Sequence, residues 1–180
     1  MTDALEAITE TILTFAAACF VEGAEGIFYS VQAASTDLDT EDEYLRFGEP
    51  YDRRILEAVR PRSLLTVLHC HGDDLMFDRL ARLPADAWNW DDRRAGPSLE
   101  DGKARVPGAV IGGLNQWETL KDGPPEKAKA EARDALAQTG GVGLILGAGC
   151  VLLPESSDST LVELITSIGG QVRLGLIKPQ

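Results

Sequence analysis

Only two histidines and three cysteines occur in the chain, too few for the frameworks those residues build. Cys19, Cys70 and Cys150 are sparse and odd in number, which excludes a disulfide scaffold and makes a reducing, cytoplasmic setting the expectation. Positive charge is scarce as well: 17 Lys and Arg stand against 29 Asp and Glu, a formal net charge of −12 and a pI of about 4.5. A field of that sign repels phosphate backbones and anionic membrane surfaces, so neither nucleic acid nor membrane is an expected partner. No stretch reaches the roughly 18 uncharged residues of a membrane span. The most apolar early run, Ile12 to Val21, follows Glu6 and Glu10 rather than basic residues, unlike a secretory signal. Glycine (18) and proline (9) show neither collagen periodicity nor the bias of a disordered tract.

What is present is a chain of 180 residues, 44% hydrophobic and 26% charged, read from its length as a single domain spanning 1–180. Short apolar runs alternate with amphipathic stretches. Leu5, Ile8, Ile12, Leu13 and Phe15 recur at helical spacing between about Asp3 and Val21, where Glu22-Gly23 stops the helix. Strands are expected at Gly26–Ser30, Ser63–Leu68, Ala87–Asp91, Val110–Asn115 and Val142–Leu146. Helices are expected at about Pro50–Val59, Asp74–Arg82, Pro125–Gln138 and Ser159–Ile168, with an acidic, polar segment from Ser35 to Glu49.

Five strands with intervening crossovers favour an α/β fold of parallel βα units. In such folds ligands collect at the carboxyl ends of the strands. Here those ends carry Ser30, His69 and His71, Asn89 to Asp91, Asn115 and Cys150, almost all of the candidate chemistry. His69 and His71 stand two apart, so both imidazoles face one side and Cys70 the other. Trp88 and Trp90 likewise share a face, which is read as core, and Asp91 reads as an acid, a base or, more simply, a helix cap.

In sequence order the chain carries Phe28-Tyr29-Ser30, Phe47-Gly48-Glu49-Pro50-Tyr51, Leu68-His69-Cys70-His71-Gly72, Trp90-Asp91, Gly112-Gly113-Leu114-Asn115, and Leu146 to Pro154 with Gly149-Cys150. This set resembles the carboxyl-terminal half of the uroporphyrinogen decarboxylase family, which includes porphyrinogen decarboxylases and metal-dependent methyltransferases acting on methylated corrinoid proteins. The resemblance implies about five strands of a (β/α)8 TIM-type barrel, a fold that needs about 200 residues or more. It therefore also implies either a piece of a longer product or a pairing with a complementary half-barrel or further copies of the chain. The family's first-half arginines and acidic residue would come from there.

The methyltransferase branch has a His-x-Cys-Gly metal motif completed by a distant cysteine. By resemblance His69 and Cys150 match it, with His71 where the motif's first cysteine stands, which implies a zinc site of His69, His71 and Cys150. The decarboxylase branch has a histidine where this chain has Cys150, a departure that argues against plain porphyrinogen decarboxylation. Ser30 matches a substrate-contacting serine of the decarboxylases, so Ser30 and Asp91 are the catalytic candidates, and Ser30, Trp90 and Asn115 the substrate-binding ones.

Three functions follow. The first is a zinc-assisted methyl transfer to a thiol, from a corrinoid protein or a small methylated compound. The second is decarboxylation of a porphyrinogen in haem biosynthesis, without a metal. The third is a non-catalytic relative acting in binding or assembly.

Overall fold

The computed structural model describes residues 1–168. A helix α1 (Thr2–Val21) leads into strand β1 (Gly26–Val31), followed by α2 (Glu41–Phe47), α3 (Glu49–Val59) and β2 (Leu65–Cys70). Then come α4 (Phe77–Leu80), β3 (Ala87–Asn89), α5 (Leu99–Arg105) and β4 (Ala109–Leu114). A π-helical segment at Gln116–Lys121, α6 (Pro125–Thr139), β5 (Leu144–Ala148) and α7 (Asp158–Ile168) complete the order. The five strands form one sheet in the order β1-β2-β3-β4-β5, every neighbouring pair parallel. This is the α/β architecture of parallel βα units that the alternating pattern predicts.

Local chemistry explains the ends of the elements. Thr40 and Glu43 form a reciprocal capping box that starts α2 within the acidic Ser35–Glu49 segment, where the run Asp37 to Glu43 reads as a loop and helix start. Ser98 accepts from the Asp101 amide and caps the unexpected α5. Pro124 and Pro125 open α6, and Gly140, left-handed at φ 64°, closes it. Two strands begin later than expected. Leu64 donates its amide to Glu25 O and is still in the turn, so β2 starts at Leu65 and includes His69 and Cys70. Gly143, at φ 65°, keeps the preceding turn going until Leu144, so β5 runs to Ala148.

The pairing register divides the sheet into two faces. Ile27, Tyr29, Leu68, Trp88, Val110, Leu144 and Leu146 face the helices and join two packed clusters that hold Leu56, Phe77, Leu80, Trp90, Leu99, Ile55 and Val59. Trp88 and Trp90 are fully buried there, as their shared face predicts. The other face carries Phe28, Val67, Ala87 and then the row Ser30, His69, Asn89, Ile111 and Ile145. Phe28 and Ile145 on this side are exposed.

The early apolar run extends into a 20-residue helix, α1, with a mean hydropathy of 1.6 over its most apolar window. By length and composition alone it is long and apolar enough to cross a membrane, although Asp3, Glu6 and Glu10 interrupt it. Its contacts give it a place in the outer helical layer. Ala16, Leu13 and Phe20 pack with Ile55 and Val59 of α3, and Arg54 bridges to both Glu6 and Glu10.

Candidate metal centre

Three side chains meet at the carboxyl ends of β2 and β5. The two-residue period of an extended chain sends His69 and His71 to the open face and turns Cys70 into the core, where burial pushes its thiol pKa up. Cys150 follows β5 by two residues. One ligand atom from each of His69, His71 and Cys150 falls in a group whose members all lie within 4.8 Å of one another. Cys150 Sγ is 3.6 Å from His69 Nε2 and 3.9 Å from His71 Nδ1. A tetrahedral zinc with Zn–N about 2.0–2.1 Å and Zn–S about 2.3 Å sets N···S edges of about 3.5 Å, close to both edges that Cys150 makes with the histidines. His69 is buried, Cys150 half-buried and His71 exposed, which leaves one side of the cluster accessible.

His69 is held from two directions. Its Nδ1 lies 2.6 Å from Asn89 Oδ1, and Phe28 stacks on its ring at 5.5 Å between centroids and 26° between planes. Burial lowers the His69 pKa, and the nearby His71 adds to this; the Asn89 hydrogen bond and Asp91 oppose it. The balance favours the neutral ring, the form that ligates metals.

Asp91 lies beside this cluster and is itself buried. Its Oδ2 accepts from Gln116 Nε2 at 2.8 Å and Arg94 Nε at 3.2 Å, while its Oδ1 and Gln116 Oε1 have no hydrogen-bond partner. The approach depends on Gly149. A Cβ at that position would lie 2.6 Å from Asp91 Cα, 2.9 Å from Trp90 O and 3.2 Å from Asp91 Oδ1. Glycine alone lets the chain after β5 run against the end of β3, with Gly149 itself beside the unpartnered carboxylate oxygen.

Asp91 is not a helix cap: no helix begins there, and its carboxylate turns to Gln116 and Arg94, which replaces that expectation. Ser30 is exposed on the open face, level with His69 in the β1–β2 register, and its Oγ accepts from Gln32 Nε2. Trp90 is not brought to the site. It is fully buried on the helix side, edge-on to Phe77 at 4.9 Å, and donates its indole N–H to Pro97 O, which corrects the expectation that it touches substrate. Asn115 uses its side-chain oxygen to cap the π-helical segment, accepting from Trp117 N and Glu118 N. Two participants had no role assigned from the sequence: Gln116, and Asn89, which stands among the strand-end residues. Asn89 had a readable signal, since it pairs with His69 one strand over on the same face.

The uroporphyrinogen decarboxylase (URO-D) family profile matches residues 1–169. A uroporphyrinogen decarboxylase of Anaeromyxobacter dehalogenans is 32% identical over 127 residues, covering 68% of this chain and 36% of the relative. The methylcobamide:CoM methyltransferase MtbA of Methanosarcina mazei is 26% identical over 155 residues, 85% of this chain and 44% of its own length. A solved methyltransferase from Methanosarcina mazei superposes with a TM-score of 0.78 at 26% identity, covering 91% of this chain and 47% of that one. The chain thus spans less than half the length of these relatives. Family profile, curated relatives and solved structure agree: this chain belongs to the uroporphyrinogen decarboxylase family.

Proposed function

We propose that the chain carries the thiol-activating site of a methyltransferase-type member of the family, with zinc held by His69, His71 and Cys150. The observation that supports this most is the convergence of their three donor atoms within 4.8 Å, with both N···S edges close to those around a tetrahedral ion. Held by these three residues, zinc would leave room for a substrate thiol and would lower that thiol's pKa toward neutral pH. The chain's own residues would do the rest. Asp91 Oδ1, buried and unpartnered beside Gly149, accepts the thiol proton. Ser30, exposed on the same face, contacts the substrate. The sulfur then forms a bond to the methyl carbon, and the electron pair of the broken bond leaves with the donor, a corrinoid protein or a small methylated compound.

The open face of the sheet calls for a cover, since among the described residues nothing pairs with the outer edges of β1 and β5, and Phe28 and Ile145 face outward from it. Five strands among the described residues leave three to complete an eight-stranded barrel, and a second copy would bring five. A complementary βα segment therefore fits better than a homodimer. The free state of Cys19, Cys70 and Cys150 accords with a reducing, cytoplasmic setting.

The second reading, a porphyrinogen carboxy-lyase, draws on the Anaeromyxobacter relative and needs no metal. Cobalt(II) substitution separates the two. The methyltransferase reading predicts a sulfur-to-cobalt charge-transfer band that is absent in Cys150→Ser and intensifies when a small thiol such as 2-mercaptoethanol is added. A wild-type spectrum identical to that of Cys150→Ser would overturn it.

A further inference from the structure

The geometry points to Asn89 as the residue that fixes the tautomer of His69 and ties it to the strand carrying Cys150, a positioning role for the proposed metal centre. A side-chain amide offers two donors on nitrogen and an acceptor on oxygen. Asn89 Nδ2 donates to Ile111 O of β4 at 3.0 Å and to Ala148 O of β5 at 3.1 Å. Both acceptors are backbone carbonyls, which cannot donate, so the amide has one admissible orientation. Turning it over would set its oxygen against two carbonyl oxygens and leave both without a donor.

That orientation presents Oδ1 to His69 Nδ1 at 2.6 Å. An oxygen whose own nitrogen is already spent can only accept here, so the proton of the neutral ring sits on Nδ1. The lone pair is then on Nε2, the atom 3.6 Å from Cys150 Sγ. With the proton on Nε2, Nδ1 and Oδ1 would be two acceptors in contact, and the lone pair would point away from the cluster.

The same amide acts at a second point. Ala148 lies two residues before Cys150, so the bond to its carbonyl anchors the end of β5 at the distance from His69 that the donor set requires. Asn89 is only 3% exposed, which removes water as a competitor for these bonds. A single side chain on β3 thus sets the protonation of one ligand on β2 and the position of another beyond β5. Partners of this kind around metal-ligating histidines are typically worth about 10–100-fold in metal affinity.

The role as a metal-site positioner rests on the reading given under the proposed function; the tautomer assignment does not. The test is therefore the nitrogen-15 spectrum of histidine-labelled, chelator-treated wild-type protein at a pH of about 8, where neutral imidazole dominates. Only two histidines are present, and His71→Gln assigns the spectrum. The expected result is His69 as the Nδ1–H form. A His69 signal of the Nε2–H form, or of rapidly averaging tautomers, would overturn the inference whatever the zinc result. Asn89→Leu should release the ring to averaging tautomers and weaken zinc binding about 10–100-fold. If wild type shows the Nδ1–H form and binds no zinc, the tautomer assignment stands while the metal reading and the metal-positioning role fall. If Asn89→Leu does not fold, the wild-type spectrum alone decides the tautomer.

Discussion

Cys150 Sγ stands 3.6 Å from His69 Nε2 although 81 residues separate them in the chain. Parallel pairing brings them together: β2 to β3, β3 to β4 and β4 to β5 align their carboxyl ends, so residues that end different strands become neighbours. Chemistry collects there for the same reason ligands do in open and closed α/β sheets.

Gly149 limits how near Cys150 can come to β3. Gly149→Ala places a methyl group 2.6 Å from Asp91 Cα and 2.9 Å from Trp90 O, backbone-level contacts that cannot swing aside. The expected outcome is a loss of about 1–3 kcal/mol in denaturant unfolding, together with weaker metal binding from a displaced Cys150. A variant as stable as wild type with unchanged zinc affinity would show that this close approach is not needed.

Trp90 separates core from site. Trp90→Phe keeps an aromatic ring against Phe77 but loses the indole hydrogen bond to Pro97 O. It should cost about 1–2 kcal/mol of stability and leave zinc stoichiometry and thiol binding unchanged. A selective loss of ligand binding at full stability would restore a substrate role for this side chain.

How much of this was legible in the sequence divides along physical lines. Apolar periodicity located all five strands, and proline and glycine punctuation located α6, because those signals are local. The histidine pair and Cys150 stood out through their rarity and strand-end positions. What a local pattern cannot show is how side chains are spent. Asn115 read both as a turn residue and as a substrate contact and serves as a cap, and Trp90 read both as core and as a substrate contact and is buried. Asn89 became important only once strand register placed it between His69 and two carbonyls.

Asp52 gives the fold a pH signature away from the site. Its carboxylate accepts from Tyr29 at 2.7 Å and Tyr44 at 2.9 Å, yet burial outweighs these bonds and raises its pKa. An acid with a raised folded pKa binds more protons folded than unfolded between its two pKa values. Its contribution is therefore full below the unfolded value and is lost as pH rises through the folded one. Subtracting the stability-versus-pH curve of Asp52→Asn from that of wild type should expose this slope. A difference curve that rises with pH in the acid range would contradict it.

Metal binding should itself be proton-linked. Neutral His69 and deprotonated Cys150 are the ligating forms, so zinc uptake should release protons and weaken as pH falls. Calorimetry in buffers of different ionisation enthalpy measures the proton count directly. Uptake with no proton release would exclude the thiolate ligand.

The central claim is that His69, His71 and Cys150 hold one metal ion together, and zinc titration of the chelator-treated full chain tests it most directly, beside Cys150→Ser and His71→Ala. The account predicts saturable, stoichiometric zinc in wild type, with affinity falling sharply in both variants while circular dichroism stays unchanged. A folded wild type that takes up no zinc, or variants that bind it as tightly, would contradict the site.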